Sequence, residues 1–119
     1  MLTEQTPETI KATLKIKAQG VENTLLLTYH NHSPDAYDEF TKNPENMKAP
    51  DGGESDVMIV AHINASLALF VVKSFDDGTD KAFPLTRDGL IKMERHWPGT
   101  LFGIIRGYHQ ARGAAVEKN

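Results

Sequence analysis

The chain has 119 residues, 39% of them hydrophobic and 24% charged, and no cysteine. That length holds one modest core, so a single domain over 1–119 is expected; the missing thiols exclude a disulfide framework, thiolate metal sites, iron–sulfur clusters and a cysteine nucleophile. Thirteen Lys and Arg against sixteen Asp and Glu leave a net charge of −3, which excludes a strongly basic nucleic-acid coat protein.

The first eight residues, Met1-Leu2-Thr3-Glu4-Gln5-Thr6-Pro7-Glu8, are polar. They lack the basic and apolar regions of a secretory signal and are expected to be flexible. Ile10, Ala12, Leu14, Ile16 and Ala18 then alternate with Lys11, Thr13, Lys15 and Lys17. A period of two predicts a half-buried strand with its lysines outward. Leu25 to His30 reads as a second strand, joined to the first as a hairpin through a turn at 19–23. A lone hairpin is marginal in water, so other elements must cover its apolar face. Ser33-Pro34-Asp35 is a helix start: Ser33 caps, Pro34 suits the first helical position and Asp35 favours the positive end of the helix dipole. This short helix carries Tyr37 and Phe40 and ends near Asn43-Pro44. Residues 43–53 hold two prolines and two glycines and form a loop.

Val57, Val60, Ala61, Asn64, Leu67, Ala68 and Val71 fit helical spacing, and Met58, Ile59, Ile63, Leu69 and Phe70 between them are also apolar. Such a helix is covered on most sides. One helix is favoured through this region; the competing division places a strand at 67–75, because Leu69-Phe70-Val71-Val72 also suits a strand. The apolar-rich run Val57–Val72 has 16 residues, short of the about 20 needed to span a bilayer. No membrane partner is expected, and the chain reads as cytoplasmic. Asp76-Asp77-Gly78-Thr79-Asp80 is a turn and Lys81-Ala82-Phe83 a short extended piece. Thr86 caps a helix with Leu90, Met93 and Trp97 on its inner side. From Pro98 another helix places Leu101, Ile104, Ile105 and Tyr108 at i, i+3, i+4 and i+7, with Phe102 beside them. Gly113 ends it, and 114–119 form a flexible tail. The fold class is therefore α+β: an N-terminal antiparallel β-hairpin packed against a mainly helical body of about four helices.

Chemistry finds little support. His30 and His32 share a strand face, but zinc takes three or four protein ligands, and His62, His96 and His109 are scattered. The Asp76–Asp80 run has its glycine third rather than sixth, and Arg87 stands where a calcium loop needs its final carboxylate. Asp35, Asp38 and Glu39 lie on a short polar helix with no sign of the pocket that acid/base work requires. Nucleophile-elbow, phosphate-loop and dinucleotide motifs are absent. A non-enzymatic protein without metal or cofactor is expected. Charge is uneven, however. Residues 1–83 carry 7 basic and 13 acidic groups, whereas residues 84–119 carry 6 basic and 3 acidic ones, including all four arginines.

The segment Phe83-Pro84-Leu85-Thr86-Arg87-Asp88-Gly89-Leu90, the turn His96-Trp97-Pro98-Gly99, the aliphatic-aromatic helix after it and the ending Glu117-Lys118-Asn119 resemble the tail assembly chaperones of long-tailed bacteriophages. The passage from Thr28 to Phe40 is similar to them as well. Phe75 stands where many relatives have Trp, and Gly89 where they have Asn. The resemblance implies a non-catalytic assembly factor of the bacterial host cytoplasm. Such a factor holds the long helical tape measure protein soluble while tail-tube subunits polymerise around it, and is absent from the mature virion. It also implies a short form that programmed frameshifting can extend, and leaves self-association open. Within this reading the contact residues are Leu101, Phe102, Ile105 and Tyr108, with Arg106 and Arg112 at the rim: an apolar stripe marks a partner site, and basic rim residues attract acidic stretches. The alternative is a small regulatory or nucleic-acid-binding module that uses Arg87, Arg95, Arg106 and Arg112 on the basic C-terminal helices.

Overall fold

The alternation near the N-terminus folds into a long hairpin. In the computed structural model, which describes residues 1–50 and 55–114, β1 (Thr9–Ala18) and β2 (Val21–His30) pair antiparallel from Ala18 opposite Val21 to Thr9 opposite His30. The turn is tighter than the expected 19–23 segment. Gln19 and Gly20 alone make it, with φ of 52° and 77°. Two consecutive positive φ values give the turn whose twist matches the strands, and glycine accepts such a backbone without steric cost. The Gln19 side-chain amide donates to the His96 carbonyl at 2.6 Å, which fastens the turn to the helical body.

Ser33 Oγ accepts the Ala36 N–H at 3.1 Å and starts α1 (Pro34–Lys42), as its sequence predicts. A 3-10 turn at Pro44–Asn46 follows; Gly52-Gly53 and the end of the expected loop lie outside the described residues. Ser55 caps α2 (Asp56–Val71). The helix does not run on as favoured above. At Val72 the chain passes directly into β3 (Val72–Phe75), which pairs antiparallel with β2 and completes the sheet order β1-β2-β3. The reason is tertiary: the second edge of β2 carries backbone groups that need partners, and Val72-Lys73-Ser74-Phe75 supplies them. Lys73 is the extra residue where the register shifts between Thr28 and Tyr29.

The acidic turn continues this pairing. The Asp76 N–H donates to the Leu26 carbonyl at 2.7 Å, and the Leu26 N–H donates to Asp77 Oδ2 at 2.9 Å. Thr79–Lys81 forms a 3-10 turn in place of the extended piece expected at 81–83. Thr86 Oγ1 accepts the Gly89 N–H at 3.0 Å and opens α3 (Arg87–His96). The next helix, α4 (Thr100–Arg112), begins after Pro98 rather than at it, because Gly99 adopts φ 93°. Its cap comes from the preceding helix: the Glu94 carboxylate accepts the N–H groups of Gly99 at 2.6 Å and Leu101 at 3.0 Å. A carboxylate there satisfies donors that no turn of helix can reach and favours the dipole.

The four helices and the sheet enclose one core, so the α+β arrangement is as expected, with one short strand added to the hairpin. Leu25, Leu27 and Tyr29 face Leu90, Met93, Leu101, Ile104 and Tyr108. Ala61, Ala65 and Ala68 let α2 lie close to its neighbours. The Tyr29 hydroxyl is buried, donates to the Ile104 carbonyl at 2.7 Å, and has its pKa pushed up by burial.

Acid should destabilise the sheet through Asp76. Hydrogen bonds from the hydroxyls of Thr28 (2.6 Å) and Ser74 (2.7 Å) hold its carboxyl below the ordinary value of 3.8. A folded pKa below the unfolded one adds stability that is complete above the unfolded value and is lost as pH falls through the folded one. Asp76→Asn should therefore flatten the fall in Tm between about pH 5 and about pH 2, measured by thermal melts across that range.

Candidate partner-binding surface

The geometry of α4 decides which of its side chains can meet a partner. Leu101 and Ile104 are fully buried, Tyr108 is 1% exposed and Ile105 8%. The stripe at i, i+3, i+4 and i+7 is thus the core-facing side of the helix. Leu101, Ile105 and Tyr108 are corrected from expected contact residues to core residues, because the sheet and α2 need the same apolar stripe that a partner would use. Phe102, one residue round the helix from Leu101, is 61% exposed. Arg106 follows it at i+4 on the same exposed side. Arg112 projects elsewhere: its Nε donates to Asn31 Oδ1 at 2.7 Å, near the start of α1.

Two glycines bring this helix onto β1. A Cβ at Gly107 would lie 2.7 Å from Leu14 Cδ2 and 2.8 Å from the Tyr29 hydroxyl, and one at Gly103 would touch Ile16 at 3.4 Å. Neither residue figures in the sequence reading. The available signal is cost: a glycine inside a helix is less favourable than alanine by about 1 kcal/mol, so a pair at i, i+4 calls for a close approach. The same contacts show that α4 runs antiparallel to β1 and covers the inner face of that strand while leaving its edge open.

Phe102, Arg106 and Gln110 on α4 and Thr13, Lys15 and Lys17 on β1 line an open groove of about 420 Å³. It combines a large apolar ring with cationic walls. Among the described residues no carboxylate closes an ion pair with Lys15, Lys17 or Arg106, and the two ion pairs present lie on α1 and the turn after it. Glu22 stands opposite Lys17 in the hairpin, and Lys11 lies near enough to Asp76 to lower its pKa further. Among the described residues this leaves Lys15 and Arg106 as the groove's cations without an acidic partner in the hairpin or an ion pair.

Of the other candidates, Arg87 and His32 are occupied within the fold. Arg87 donates to the carbonyls of Lys48 (2.7 Å) and His62 (3.3 Å), tying the 44–50 segment to α2. Of the four arginines, Arg95 and Arg106 make no hydrogen bond among the described residues, and they stand on different helices. His32 stacks on Phe70 with centroids 3.8 Å apart, and its Nε2 lies 2.7 Å from the Phe70 carbonyl. Burial lowers the pKa of His30, and the charges of His32 and Lys73 lower it further. Among the described residues no three metal-ligating side chains converge, and no helix is long and apolar enough to cross a membrane. An exposed apolar pair, Val57 and Val60, opens α2 beside Arg95 and Pro98.

Compared with protein-family models, curated proteins and solved structures, the chain matches none.

Proposed function

We propose that this protein is a non-catalytic assembly factor, a phage tail assembly chaperone that keeps the tape measure protein soluble in the host cytoplasm and leaves before the particle matures. The observation that carries the reading is Phe102, a large aromatic side chain 61% exposed in mid-helix, beside Lys15 and Arg106, which close no ion pair among the described residues. Phe102 shares an open groove with Leu14, Ile16, Lys15 and Arg106, and an apolar groove with cationic walls favours acidic, apolar segments. The resemblance to tail assembly chaperones lends further support. Two of its C-terminal motifs fall at the Thr86-capped start of α3 and at the Trp97-Pro98-Gly99 turn before α4. A long helical partner would be covered by many copies, each binding weakly.

Co-expression tests the reading. Phe102→Asp should fold as the wild type does and should leave most of a co-expressed tape measure protein in the insoluble fraction. If the folded variant keeps the partner as soluble as the wild type does, Phe102 is not the contact and the reading loses its support.

A further inference from the structure

We propose that the groove beside α4 is filled by an extended segment of alternating acidic and apolar residues, which adds to the free edge of β1 as a fourth strand. This rests on the same surface as the chaperone reading but not on the identity of the partner.

The hairpin fixes which backbone groups are free. In a two-residue turn the flanking pair, Ala18 and Val21, exchanges both hydrogen bonds, and bonded and non-bonded pairs then alternate along the strands. The bond from the Asn31 N–H to the Glu8 carbonyl at 3.0 Å, just beyond the last ladder pair, confirms this phase. Thr9, Lys11, Thr13, Lys15 and Lys17 therefore direct their N–H and C=O groups away from β2. Among the described residues none of these groups finds a protein partner, since β1 is the first strand of the sheet. An unpaired edge of this length is a template for another strand.

Both faces of the edge specify what would pair with it. On the inner side Ile10, Ala12, Leu14 and Ile16 are only half-buried, and Phe102 shares the groove with Leu14 and Ile16. Apolar side chains on an added strand would cover them. On the outer side Lys15, flanked by Lys11 and Lys17 with their neighbours Asp76 and Glu22 on the far side of the strand, would neighbour the alternate residues of that strand, which opposite charge makes acidic. A second copy of this chain fits poorly. A two-fold pairing centred on Thr13 sets Lys11 of each strand against Lys15 of the other, and facing like charges oppose such a contact. The strand thus carries its own protection against self-pairing while keeping its edge open to an acidic partner.

The probe is a capped peptide alternating Val and Glu, long enough to span Thr9 to Lys17, added to the full chain. Amide exchange followed by NMR should slow at Thr9, Lys11, Thr13, Lys15 and Lys17. A peptide N-methylated on its edge-facing amides should bind at least about tenfold more weakly. Thr13→Pro removes one outward donor without touching the ladder to β2 and should weaken the unmodified peptide similarly; Lys15→Glu is a second variant with the same expected direction. Absence of binding, binding without slowed exchange at these amides, equal binding of the N-methylated peptide, or preference for a single-stranded oligonucleotide would each overturn the proposal. Failure here with Phe102→Asp still insoluble for the tape measure would leave the chaperone reading standing. The reverse pattern would leave strand addition standing and remove the chaperone.

Discussion

Leu101→Asp is expected to unfold the protein, whereas Phe102→Asp, one residue further along the same helix, is expected to leave its melting curve almost unchanged. Leu101 has no exposed surface. An aspartate there forfeits the packing of a buried leucine, worth about 2–5 kcal/mol, and adds an unpaired buried charge. A domain of this size has only about 5–15 kcal/mol to lose, so most of its stability goes. Phe102 is mainly in water, and its replacement should alter stability by about 1 kcal/mol at most. Thermal melts of the two purified variants check the contrast. Similar melting of both would mean that α4 does not face the core as described.

Gly89→Ala should be the most damaging small substitution. A Cβ on Gly89 would overlap the carbonyl oxygen of Pro84, with the Pro84 nitrogen also within 2.9 Å. The obstacle is backbone and cannot rotate aside. Relief requires moving either the start of α3 or the Phe83-Pro84-Leu85 segment, which the Thr86 cap and the bond from the Thr86 N–H to the Pro84 carbonyl (2.7 Å) hold in place. Overpacking of this kind costs about 3 kcal/mol or more, a drop in Tm of ~10 °C or more. Gly103→Ala is the control: its Cβ would meet Ile16 at 3.4 Å, an ordinary contact, so gained helix propensity of up to about 1 kcal/mol should offset any local adjustment.

The elements whose signals are local could be read from the chain. β1 announces itself by strict alternation, and Ser33, Ser55 and Thr86 stand at helix starts where a hydroxyl can accept an N–H. β3 could not be read in the same way. Val72-Lys73-Ser74-Phe75 has no pattern that separates it from the end of α2, and its extended state is decided by the open edge of β2. The site was legible only in part. An apolar stripe at helical spacing is required equally by a core and by a partner, so spacing alone could not divide Leu101, Ile105 and Tyr108 from Phe102. That division needed the direction from which β1 approaches α4, set by Gly103 and Gly107. The lysines of β1 did carry a message, because cations on alternate outward positions are how edge strands are kept from pairing with their own kind.

The central claim is that partners meet this protein along β1 and the Phe102 flank of α4. Hydrogen exchange on the full chain, alone and co-purified with the tape measure protein proposed above as its partner, tests it most directly. Slowed exchange is predicted on the free-edge amides between Thr9 and Lys17, with the α4 segment from Phe102 to Gln110 shielded on the same side. Protection confined to the start of α2 around Val57 and Val60, or no change along β1, would contradict it.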